Sequence, residues 1–242
     1  MDTEQARKDY DAVRRNYYVS LVAAKLMLCT DNTEVQISAH LQGAGGFDPA
    51  ADKDWLREKG AEIVKWASEE NESEFQNIRR AYLIGTCSAL EQLAKCCFVE
   101  WVNEDSELAD RIKLKEPSLL LSADDRQEQI FGEADRVFRA AKVQQGHFQK
   151  YSGYIRQLIP VHFHKHLACL DSVDTSSFDE AFLVRNRLVH HGAKADEHLA
   201  KAFGISKGEQ LQIMRAHVKR YMQAIDAMDD VIGILRPSNI GI

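Results

Sequence analysis

The segment Ser177–Gly192, SFDEAFLVRNRLVHHG, decides how this chain is read. Ser177 followed by Glu180 is a capping-box pattern and predicts a helix beginning near Phe178. Gly192 suits the end of that helix, because glycine enters the left-handed region without a Cβ penalty. At about 100° per residue, Phe178, Ala181, Phe182, Leu188 and Val189 share one apolar stripe, and Arg185 falls close to its middle. A guanidinium there loses hydration that something must replace. Asn186 and His190 are four apart and stack on one face beside the stripe, so Arg185, Asn186 and His190 can converge on one anion at the helix edge. A structural role explains the same residues. Arg185 would then bridge neighbouring helices through a buried ion pair, and His190 would sit at the helix C-terminus because the dipole favours it.

Outward from this segment the chain reads as helix throughout. Residues 3–29 carry Tyr10, Val13, Tyr17, Leu21, Ala24 and Leu28 at helical spacing. Gln42–Asp48, QGAGGFD before Pro49, reads as a turn; it has neither the GK[ST] of a phosphate-binding loop nor a strand before it. Residues 53–70 predict a helix burying Trp55, Ile63 and Trp66. Ser73 with Gln76 predicts a second capping box, opening a long helix to Asn103 along Phe75, Ile78, Tyr82, Ala89, Leu93 and Cys97. Residues 104–121, with Pro117, form the long connection. A helix over 123–141 buries Ile130, Phe131, Ala134, Val137, Phe138 and Ala141, and a shorter one over 147–159 stops at Pro160.

Past the motif, residues 194–203 add a helical turn or two. Ser206 with Glu209 predicts a third capping box and a helix with an apolar seam of Leu211, Met214, Val218, Tyr221, Ile225, Met228, Ile232 and Leu235, ending at Pro237. The seam reads first as the core of a bundle; the sharper alternative is that part of it forms a dimer interface. The expected fold is all-α: an antiparallel helical bundle over 73–236, with a helical extension over 1–72 and a tail over 237–242.

Composition narrows the function classes. No run of about 18 apolar residues exists, since Glu91, Gln92, Lys95 and Glu100 interrupt the most apolar region, so no membrane span is expected. MDTEQARKDYD lacks the basic and apolar regions of a secretion signal, and five cysteines without CxxC spacing read as reduced thiols, so the expected compartment is the cytoplasm. A net charge of −6 argues against a broadly basic nucleic-acid surface but leaves room for a small basic site. Between Arg185 and Lys201 four cations face two carboxylates, with His190, His191 and His198 beside them. Val161–Leu167, VHFHKHL, sets His162, His164 and His166 at alternate positions; no Asp, Glu or Cys lies close in sequence to complete a ligand set, so no metal is expected, and the plainer reading is a solvated or RNA-facing cluster.

The string RNRLVHHG, late in an all-helical chain and followed by glycine, resembles the R-x4-6-H signature, usually with Asn directly after Arg, of HEPN domains; the resemblance covers roughly residues 73–236. HEPN domains are all-α ribonucleases and RNA-binding modules. The resemblance implies metal-independent cleavage of single-stranded RNA by attack of the 2′-hydroxyl on the adjacent phosphorus, with no cofactor. His190 would move protons, Arg185 would hold the phosphate and Asn186 would orient the imidazole or donate to the phosphate. Arg187, His191 and Lys194 would contact substrate. One protomer supplies one motif histidine, whereas HEPN nucleases generally join two protomers around one cleft, so a homodimer is expected. The resemblance also implies a toxin or phage-defence role, with an antitoxin or regulatory protein as a further partner. Members silenced by a nucleotidyltransferase often carry Tyr two positions after the His. This chain has Gly192 there, so that regulation is not expected. The alternatives are a non-catalytic helical module binding RNA or protein, and a metal enzyme using the His-rich segment.

Overall fold

The structure is a computed structural model that describes residues 3–28, 53–104, 108, 123–140 and 146–240. Among these the chain is an all-α helical bundle without strands; a lone bridge joins Lys194 to Gln210. The helices are α1 (Thr3–Leu28), α2 (Lys53–Glu72), α3 (Gln76–Glu104), α4 (Ala123–Ala140), α5 (His147–Leu158), a 3₁₀ segment (Val161–Ser172), α6 (Thr175–His190), α7 (Glu197–Phe203), α8 (Arg215–Ile234) and α9 (Pro237–Ile240). No described helix is long and apolar enough to cross a membrane. The Gln42–Asp48 turn and nearly all of the 104–121 connection lie outside the described residues, as do the side chains of Leu28, Trp55, Val137 and Phe138.

The chain forms two compact units, residues 1–13 with 83–242 and residues 14–82, so the division falls inside α1 and α3. In the larger unit, α6 packs on α8 and α5, α8 also meets the 3₁₀ segment, and α4 lies on α5. Phe178 is fully buried between Tyr151, its ring edge-on at 5.2 Å, and Phe182 at 4.9 Å. Rings in these orientations gain slightly beyond their area, and removing one such ring from a core costs about 3–5 kcal/mol. Val218, Tyr221, Ile225, Met228, Ile232 and Leu235 are all buried within one chain, so this seam of α8 is core. The first turns of α1 join the same unit through buried Ala6 and Tyr10. The Tyr10 hydroxyl donates to Asp226 at 2.9 Å, and Arg7 pairs with Asp229.

The last seam helix begins later than predicted. Glu209 accepts from the Ser206 backbone N–H as a capping box would, but no helix starts there, and α8 opens at Arg215. Leu211 reaches the core from an extended loop, its N–H donating to the Ala193 carbonyl at 2.8 Å, while Met214 stays exposed. Pro237 starts the short α9 after α8 has ended at Ile234, and this end is tied down by the Arg236–Glu100 pair and by Trp101 Nε1 donating to the Leu235 carbonyl at 2.9 Å.

In the smaller unit, Ala24, Ala67 and Ile78 form a buried cluster against Tyr17 and Phe75, and Tyr17 stacks on Tyr82 at 4.0 Å. Trp66 is exposed, against expectation, and Ile63 is half-buried, because α2 turns its Ala67 and Glu70 face inward. The predicted Ser73–Gln76 capping box is absent. Ser73 Oγ donates back to the Glu70 carbonyl, and the buried Glu70 carboxylate instead accepts from the Ile78 N–H at 3.4 Å in the first turn of α3. Between the two helices Glu74 and Phe75 take left-handed φ values of 53° and 62°, a conformation that asparagine or glycine holds at less cost.

Candidate functional site

Helix α6 starts three residues before the predicted position. Asp174 is its N-cap, accepting from the N–H groups of Ser176 and Ser177 and from the Ser177 hydroxyl at 2.6 Å; these bonds lower the pKa of Asp174. Ser177 therefore serves the cap from inside the helix, and Glu180 turns to α8, where it accepts from Tyr221 at 2.5 Å and pairs with Arg220. The other end is as expected: His191 is the C-cap and Gly192 follows in the left-handed region at φ 56°.

Three residues along one side of α6 organise the start of α5. The Asp179 carboxylate accepts from the Phe148 N–H at 2.6 Å, capping α5. Gly146, at φ 91°, leaves room for that carboxylate; a Cβ there would collide with it. The His147 ring then lies on Phe182, centroids 5.1 Å apart and planes 23° apart, and its Nε2 faces the Asn186 amide nitrogen at 3.4 Å. His147 is 7% exposed. Burial first, then the charges of Lys150 and Arg185, pull its pKa down to about 4 against the opposing influence of Glu91, so the ring is neutral at physiological pH.

Arg185 and Asn186 are brought together. Arg185 Nη1 donates to Asn186 Oδ1 at 3.1 Å and Nη2 to Ser88 Oγ of α3 at 3.2 Å, while Nε is enclosed without a partner among the described residues. No described carboxylate pairs with this half-buried guanidinium. The acidic groups whose fields reach this pocket are engaged elsewhere: Lys95 binds Glu91 at 3.0 Å and Asp135 at 2.6 Å, and these bonds raise its pKa although burial opposes them. The ion pair that a purely structural role would give Arg185 is thus absent among the described residues. A cation compensated only by neutral dipoles keeps most of its charge available to an incoming anion. Lys150, its pKa lowered chiefly by burial, adds a second positive group to the same region.

The remaining motif residues lie further along. His190 is exposed at the last position of α6, one turn beyond Asn186, and bonds to neither Arg185 nor Asn186; its ring is 6.5 Å from that of exposed His191. Arg187 is held within the chain. Its Nε and Nη2 both reach Asp196 Oδ2, at 3.1 and 2.5 Å, while Asp196 Oδ1 caps α7 at the Leu199 N–H. This pair ties α6 to α7 at the position where the sequence suggested a substrate contact. Lys194 is exposed beside the bridge to Gln210. In the His-rich segment, His164 Nε2 contacts the Ile159 carbonyl at 3.1 Å and His166 faces the Phe163 ring, whereas the His162 side chain lies outside the described residues.

His147 and Ser88 escape a reading of the sequence. They lie 39 and 97 positions from their partners, and no local pattern marks either. Gly146 before His147 signals only a helix boundary. No family model matches this chain, and neither a curated protein nor a solved structure matches it.

Proposed function

We propose that this chain is a metal-independent endoribonuclease acting on single-stranded RNA, as its resemblance to HEPN domains implies, with Arg185, Asn186 and His190 as the working residues. The observation that carries the reading is Arg185, a half-buried guanidinium whose hydrogen-bond partners among the described residues are the neutral Ser88 and Asn186. A residue kept there for stability alone would be expected to meet a carboxylate. One kept for a phosphodiester needs its charge free and its rotamer held.

In the proposed reaction the 2′-hydroxyl oxygen attacks the adjacent phosphorus, its proton passes to a base, and the 5′-oxygen leaves with a proton from an acid. The products are a 2′,3′-cyclic phosphate and a 5′-hydroxyl. An imidazole can both accept and donate a proton, the part given to His190. Arg185 balances the charge gathering on the phosphoryl oxygens. Since one protomer offers one motif histidine, the reading includes a homodimer in which two α6 helices share a cleft. A toxin or phage-defence role, with a protein inhibitor, fits such an activity.

The test is cleavage of a mixed single-stranded RNA in EDTA by the wild type and by His190→Ala, with end-group analysis and sedimentation of both proteins. Chelator-resistant cleavage by a dimer, cyclic phosphate ends and loss in the variant are expected. If neither protein cuts while Arg185→Ala weakens RNA retention, the chain is a binding module and the nuclease reading is wrong.

A further inference from the structure

We infer that His147 is the positioning residue of this site: its Nε2 accepts from the Asn186 carboxamide and thereby determines which end of that amide faces Arg185. The inference rests on the nuclease reading for its functional consequence and on contacts within one chain for its geometry. A carboxamide rotated by half a turn about its last bond exchanges oxygen for nitrogen with little change of shape. Facing Arg185 with oxygen, it accepts from Nη1; facing it with nitrogen, it would set two donors against each other. What breaks the symmetry is the far end of the amide, which meets His147 Nε2 at 3.4 Å. A lone pair on Nε2 accepts from the amide NH₂, whereas a proton there would oppose it, so the bond requires the Nδ1–H tautomer of a neutral ring.

The surroundings hold the ring for this task. Phe182 supports one face, the Asp179 cap and Gly146 set the backbone, and the nearby charges of Lys150 and Arg185 oppose protonation. Arg185, gripped by Ser88 on one side and by the oriented amide on the other, then presents its guanidinium in one rotamer. His147 need not touch the substrate.

His147→Phe retains the stack on Phe182 and removes the acceptor; His147→Gln retains an acceptor. With both variants folded, as judged by circular dichroism and a cooperative melt, His147→Phe is expected to lower kcat on RNA roughly 10- to 100-fold with KM changed less, and His147→Gln to recover most of it. A folded Phe variant with wild-type kcat, or a Gln variant as poor as Phe, overturns the inference. ¹⁵N spectra of the wild-type imidazole near neutral pH decide it independently of cleavage. An unprotonated Nε2 is expected, and a proton on Nε2 rules the inference out even if RNA is cut. A wild-type protein that cuts nothing but shows the expected tautomer overturns the nuclease reading and leaves the Arg185–Asn186–His147 alignment standing.

Discussion

Acidification should destabilise this protein through His147 before the imidazole charges in the folded state. Its pKa is about 4 when folded and about 6.5 in the unfolded chain. Between these values the unfolded state takes up a proton that the folded state does not, so stability falls as the pH drops from about 6.5 towards 4 and the effect levels off below. At 1.36 kcal/mol per pH unit, the loss accumulated by about pH 4.5 is about 2.5 kcal/mol, a sizeable part of the total stability of an ordinary domain. Burial is the main cause, aided by the charges of Lys150 on the same helix and Arg185 on α6 and opposed by Glu91 on α3. Urea unfolding at several pH values, followed by circular dichroism, measures the loss for the wild type and for His147→Phe. The other histidines and the carboxylates titrate in both proteins and cancel in the difference. The gap between the two should close by about 2 kcal/mol between about pH 7 and 4.5 as the wild type alone weakens. Parallel curves would refute the account of a buried, charge-surrounded imidazole.

Three further outcomes follow from the geometry. Arg187→Ala should cost about 1–2 kcal/mol in thermal unfolding, because the partly enclosed Asp196 loses its cation, while RNA retention is unchanged; a selective loss of RNA binding would return Arg187 to the substrate. Gly146→Ala should cost at least about 2 kcal/mol, since it combines a left-handed backbone with collision against the Asp179 carboxylate, and should be visible as a lowered melting temperature; an unchanged one would contradict the Asp179 cap. Glu74→Gly should raise stability by about 0.5–1 kcal/mol, because Glu74 is exposed and holds φ 53° without need of its side chain; a loss measured by urea unfolding would show that the side chain matters there.

The boundaries that failed share one cause. Ser177, Ser73 and Ser206 each stand three residues before a Glu or Gln, and the local pattern treats all three alike. Tertiary partners separate them: Glu180 is drawn to Tyr221 and Arg220, Glu70 reaches the Ile78 N–H before Ser73 can cap that helix, and Leu211 is pulled into an extended loop by the Ala193 carbonyl. Trp66 failed for a related reason, because a helix with apolar residues on two faces buries the one its neighbour covers.

What the sequence by itself determined is the helical character of the chain, the buried Phe178, Ala181 and Phe182 of α6, the apolar seam of α8 and the glycine end of the motif helix, although Val189 of the expected α6 stripe is exposed. These follow from spacings of three and four residues, which backbone geometry converts directly into faces. Only the tertiary structure decided that Arg185 meets Ser88, that Arg187 is bound to Asp196, and that the buried His147 ring stands behind Asn186. Those outcomes depend on which helices enclose a charge, and solvation, unlike helical periodicity, is a property of the folded surroundings and not of neighbours along the chain.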